Sequence, residues 1–159
     1  MLCLEVREVG GRRTVEECYE QGDDVVASVY VSVSDMSLSS VARELAEILE
    51  RAEFARGSAV DSDEVHAALS PFFPVEQTGR IVRGHVRSGE CVYYVSVFLK
   101  VDDETGEHHE NLVHVDVERI GGAALLTSVK AGFRDAGAVV SLIAELMSFA
   151  CRRTGCSDF

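Results

Sequence analysis

Hydrophobic and polar positions alternate with a period of two through most of the first third of the chain. Leu2, Leu4 and Val6 alternate with Cys3, Glu5 and Arg7, and Gly10-Gly11 then offers a turn. Val15, Glu17 and Tyr19 alternate with Thr14, Glu16 and Cys18 until Gln21-Gly22-Asp23-Asp24 breaks the run. Val25, Ala27, Val29, Val31 and Val33 line one side of a third segment. Period-two patterning between Gly and Asp turns predicts a three-strand antiparallel meander. Little charge interrupts the strand at 25–33, so at a sheet edge it would pair with a second chain.

The period changes over 37–56. Leu38, Val41, Leu45, Ile48 and Ala52 recur at spacings of three and four, with Arg43, Glu44, Glu47, Glu50 and Arg51 opposite. This predicts an amphipathic helix stopped by Gly57. A shorter helix is expected after Asp61, where Asp61 and Glu64 have capping-box spacing, and it should end near Pro71.

Strand patterning resumes over 80–87, 91–101, 111–119 and 124–134. Ser88-Gly89, the run 102–106 and Gly121-Gly122 supply hairpin breaks. A last helix over 137–152 carries a wide apolar stripe, including Val139, Ile143, Leu146 and Ala150. The expected class is α+β in a single domain, 1–159. It comprises a three-strand N-terminal meander, a four-strand C-terminal meander, helices packed on one face and a C-terminal helix.

Two likenesses within this pattern carry little weight. Val25–Val29 echoes Leu125–Val129, and Asp35 follows the first strand as Asp135 follows the second, but three identities do not exceed chance. The stretch from Val113 to Arg152 faintly resembles the end of a kinase-associated C-terminal domain. That covers under half the chain and the N-terminal strands do not fit it, so it does not guide the reading.

Charge narrows the partners. Against 15 Lys+Arg stand 27 Asp+Glu, a formal net charge of −12. Such a chain repels a nucleic-acid backbone or an anionic membrane surface. The acidity lies in residues 1–110, whereas 111–159 carries 5 basic and 5 acidic groups. No run approaches the ~20 apolar residues of a membrane span, and no export signal is visible. Five cysteines (Cys3, Cys18, Cys91, Cys151 and Cys156) form no recognisable framework. Reduced thiols in a cytoplasmic protein are therefore expected.

The chain contains no glycine-rich phosphate loop, nucleophile elbow or EF-hand loop. The segment from His109 to His114 approaches a zinc-protease signature, but its histidines are five apart, which on a strand puts them on opposite faces. The 102–110 run reads instead as a solvated acidic hairpin tip.

Sorting the four later strands by parity separates a core set from a mixed set. Val82, Val86, Tyr93, Val95, Val97, Leu99, Val113, Val115, Val117, Leu125, Val129 and Phe133 form the core. The other parity presents Ile81, Arg83, His85 and Arg87, then Tyr94, Ser96, Phe98 and Lys100, then His114, Asp116 and Glu118. Leu126, Ser128, Lys130 and Arg134 complete it. One reading is a solvent face with cross-strand ion pairs, each contributing ~0–1 kcal/mol. The other is a protein-binding face, since Tyr, Phe and Arg are enriched at interface hot spots.

The expected function is a small acidic interaction protein, an adaptor or regulatory subunit, working as a homodimer or within a larger assembly. Its partner-binding residues would be Arg83, His85, Arg87, Tyr94, Phe98 and His114, with no cofactor called for. The second reading is a chaperone for a partly unfolded client, because type III secretion chaperones are similar in size and charge. Those usually begin with a helix, whereas this chain begins with strands. Third is a metal-dependent enzyme using His85, His114 and Asp116. An acid–base arrangement of Ser96, His114 and Asp116 can also be drawn, although His114 and Asp116 share one strand.

Overall fold

The computed structural model describes residues 2–9, 12–21, 24–102 and 109–156, with side chains over 27–99 and 109–156. The turns expected at 10–11 and 22–23, the acidic tip at 103–108, and the side chains of Cys3, Cys18 and Lys100 lie outside that set. The elements run β1 (Leu2–Val9), β2 (Arg12–Gln21), β3 (Asp24–Ser34), α1 (Leu38–Arg51), α2 (Ser62–Leu69) and β4 (Glu76–Thr78). They continue with β5 (Ile81–Ser88), β6 (Cys91–Asp102), β7 (His109–Arg119), β8 (Ala124–Ala131) and α3 (Ala136–Thr154).

The α+β class is as expected, but the early and late strands do not form separate sheets. All eight join one antiparallel sheet in the order β1-β2-β3-β8-β7-β6-β5-β4. The seam is β3 against β8, from Ala27↔Ala131 to Ser34↔Ala124. This corrects the edge-pairing expectation for 25–33: β3 is bonded to β2 on one side and β8 on the other. Its valines alternate cleanly because Val29, Val31 and Val33 lie in the core.

The faint internal echo coincides with this seam. An offset of 100 residues equates Val29 with Val129, and these two stand opposite one another in register, with Ala27↔Ala131 and Val31↔Thr127 on either side. Buried positions Val41, Leu45, Ile48 and Leu49 of α1 have the same spacing as Val139, Ile143, Leu146 and Met147 of α3. The β3–β8 pairing is thus locally two-fold about the Val29–Val129 pair. The aspartates differ. Asp135 caps α3, accepting from the Ala138 N–H at 2.8 Å, whereas Ser37 occupies the N-cap of α1.

Helix α1 ends at Arg51, short of Gly57, because the next residues are drawn onto the end of β8. Phe54 bridges Phe133, and the Ala55 N–H donates to the Gly132 carbonyl at 2.9 Å. A Cβ at Gly132 would fall on the Ala55 carbonyl oxygen, so only glycine permits this approach. In α2, Asp61 occupies the N-cap but makes no side-chain cap bond, so the expected capping box does not form. Asp63 and Glu64 still place negative charge at the positive end of the helix dipole. Strand β4 was not anticipated. Its three residues are all exposed, and it is held by the turn at Gly79 (φ 60°) and a 2.7 Å bond from Gln77 to Asp63.

All three helices pack on one face of the sheet. The expected core set is buried there, except Val86, which is half-buried because β5 lies toward the outer edge. Asn111, fully buried, fastens the α1–α2 connection: its Oδ1 accepts from the Val60 N–H at 2.9 Å, and its Nδ2 donates to the Val60 carbonyl at 3.1 Å. Glu44 ties α1 to α3 by accepting from Arg152 at 2.8 Å and Arg153 at 3.0 Å. Burial works to raise the Glu44 pKa, but these two guanidinium groups outweigh it and hold the carboxyl below 4.5.

Cys91 and Cys156 form a disulfide, with Cα atoms 6.0 Å apart and a separation of 65 positions in sequence. This corrects the expectation of reduced thiols for that pair and removes its support for a cytoplasmic location. Cys151 is buried. Among the described residues, no helix is long and apolar enough to cross a membrane.

Candidate interaction face

Antiparallel register assembles the second face of the sheet row by row. One row runs His85, Tyr94, Asp116, Leu126 and Ser32; the next runs Arg83, Ser96, His114, Ser128 and Tyr30. A third brings Ile81, Phe98, Leu112, Lys130 and Ser28 into line. No helix covers these positions, since side chains of this parity point away from the helix layer. The parity read from sequence holds as far as Phe98, after which a bulge shifts the β6–β7 register before Val101.

The expected site residues occupy this face. Arg83, His85 and Arg87 are exposed on β5, while Tyr94, Phe98 and His114 are half-buried on β6 and β7. Tyr94 stands between the two histidines, its ring centroid 6.0 Å from His85 and 6.2 Å from His114 in an edge-on contact. The Ser96 hydroxyl first, and the Arg83 guanidinium next, hydrogen-bond the phenol and hold its pKa below 10.0. His114 Nδ1 and Ser128 Oγ are 2.8 Å apart. Desolvation pushes the His114 pKa below 6.5, against a weaker upward pull from Asp116. Tyr94 and His114 are therefore fixed by neighbours on three strands, giving a preorganised aromatic row.

The register argues against the catalytic drawings. Ser96 sits opposite His114 and is 2 % exposed, yet it bonds Tyr94, and the His114 Nδ1 is engaged by Ser128. The tyrosine ring separates His85 from His114, and among the described residues no group of three or more His, Cys, Asp or Glu converges to hold a metal. Glu110 is buried at the start of β7 rather than part of a solvated tip. Arg134 is exposed beyond the end of β8, where it pairs with Glu53 and Asp135.

Two contributors were missed in the sequence. Leu112 shares the parity of His114 and is half-buried, so the alternation along β7 could have found it. Tyr30, 36 % exposed, joins the face only because β3 pairs with β8. The fold and site together define an α+β domain whose sheet is helix-packed on one side and uncovered on the other. No family model, curated protein or solved structure matches this chain.

Proposed function

We propose that this chain is a small acidic protein-interaction domain, an adaptor or regulatory subunit, that engages a partner protein through the uncovered sheet face. One observation carries the reading: the His85–Tyr94–His114 row, flanked by half-buried Phe98, Leu112 and Leu126, lies on the face that no helix covers. Aromatic anchors held rigid by their neighbours lose little side-chain entropy on binding. Each such anchor can contribute ~2 kcal/mol or more. Arg83 and Arg87 supply a cationic border in a chain whose overall charge is −12.

Affinity purification from the native cell tests this differentially. Tyr94→Ala and Phe98→Ala should each reduce recovery of the same partner tenfold or more while folding normally. Equal recovery by wild type and both variants would refute the reading.

A further inference from the structure

The outer edge of β5 has backbone groups that β4 does not reach. Strand β4 pairs only with Ile81, Val82 and Arg83. Extending that register by two positions puts Pro74 opposite His85, and proline has no N–H to donate. The Leu99 N–H donates to the Arg80 carbonyl at 2.9 Å, which fixes the ladder phase: even-numbered residues of β5 exchange bonds with β6. The N–H and C=O of His85 and Arg87 therefore point outward, and no described residue's backbone bonds them.

Both flanks of this edge have chemistry of their own. On the uncovered face stand Arg83, His85 and Arg87, and their register partners on β6 are Ser96, Tyr94 and Val92 rather than carboxylates. Glu76 on β4 is opposite Arg83, but nothing acidic in register faces His85 or Arg87 across β6. On the helix side, the Phe73 ring packs so closely on Gly84 that a Cβ there would strike it. Phe72 and Phe73, with Leu69 of α2 and Val140, Met147 and Cys151 of α3, line an apolar cavity of about 540 Å³. Phe72 is 68 % exposed at its rim.

We propose that the β5 edge at 85–88 receives an extended segment of the partner protein by strand addition, and that this segment alternates acidic and apolar residues. Main-chain bonds to His85 and Arg87 supply the pairing, and alternate side chains supply the choice. Acidic residues of the added strand fall on the side of Arg83 and Arg87, and apolar ones fall beside Phe73 and its cavity. Like charges placed together at a β5-to-β5 contact disfavour a second copy of this chain as the occupant. This inference rests on the uncovered face being the partner surface.

An eight-residue peptide alternating Glu and Val, titrated into the intact protein and followed by amide NMR, provides the test. Strand addition should shift and protect the His85 and Arg87 amides. N-methylation of one alternate set of peptide residues should abolish binding, while the other set is tolerated. A Lys–Val counterpart, and the Glu–Val peptide against Arg87→Glu, should each bind at least tenfold more weakly. Equal binding by both N-methylated peptides would mean charge attraction without pairing, and absent binding or unshifted His85 and Arg87 amides would equally overturn the proposal. Shifts confined to Tyr94 and Phe98 would remove the edge and leave the uncovered face standing; partner recovery indifferent to Tyr94 would remove the face itself.

Discussion

Reducing the Cys91–Cys156 bond should cost this protein a large share of its stability. The bond closes a loop of 65 residues between the start of β6 and the residue after the α3 cap. In the chain-entropy treatment, a loop of that length constrains the unfolded chain by about 4 kcal/mol. Stabilities of ordinary domains run from about 5 to 15 kcal/mol, so the effect is readily visible. For a chain this long, each kcal/mol corresponds to roughly 2–4 °C, giving a fall in Tm of about 8–16 °C. The assay is thermal unfolding of the wild type with and without reductant, beside the Cys91→Ser, Cys156→Ser double variant. The reduced wild type and the double variant should melt together, well below the oxidised protein, and a non-reducing peptide map should show the two cysteines linked. A Tm unchanged within 2 °C, with the link verified in the oxidised sample, would refute the loop argument.

Asn111→Ala should cost about 1–3 kcal/mol in chemical denaturation, because it leaves the Val60 N–H and C=O without their buried partner. Gly132→Ala should be more damaging than the same change at exposed Gly121→Ala, since a methyl group there displaces the Ala55 backbone; comparable unfolding midpoints would contradict that packing. His114, held neutral by desolvation, should make stability fall as pH drops below 6.5, because the unfolded chain takes up the proton first. The loss levels off below the folded pKa, and His114→Gln should flatten that part of the profile in denaturation midpoints measured between pH 8 and 5. The Glu44 contribution lies in a separate window: it is present above 4.5 and is lost as pH falls through the lowered folded pKa.

Much of this architecture is legible in the chain because burial follows parity. Tyr93, Val95 and Val97 against Tyr94 and Phe98 can be sorted without coordinates, since a strand has only two sides. The pairing of β3 with β8 is not legible: alternation says which side is buried but not which strand lies alongside, so the pattern alone separates one sheet into two runs. Strand β4 escaped because Glu76, Gln77 and Thr78 have no apolar alternation and depend on a turn and a bond to Asp63. The end of α1 is not legible either, because Ala55 is claimed by Gly132, 77 positions further along the chain. The disulfide followed from topology alone, as antiparallel β8 and then α3 return the chain to the end of the sheet where β6 begins. At the candidate site the residue types were readable, whereas the engagement of His114 by Ser128 required the register.

The most direct measurement is a footprint of the protein with its captured partner, read by modification of histidine and aromatic side chains in free and bound states. Protection of His85, Tyr94, Phe98 and His114, with His66 on α2 unchanged, is the expected result. Protection of His66 and Phe72 with the sheet residues still reactive would place the partner on the helix side and contradict the account.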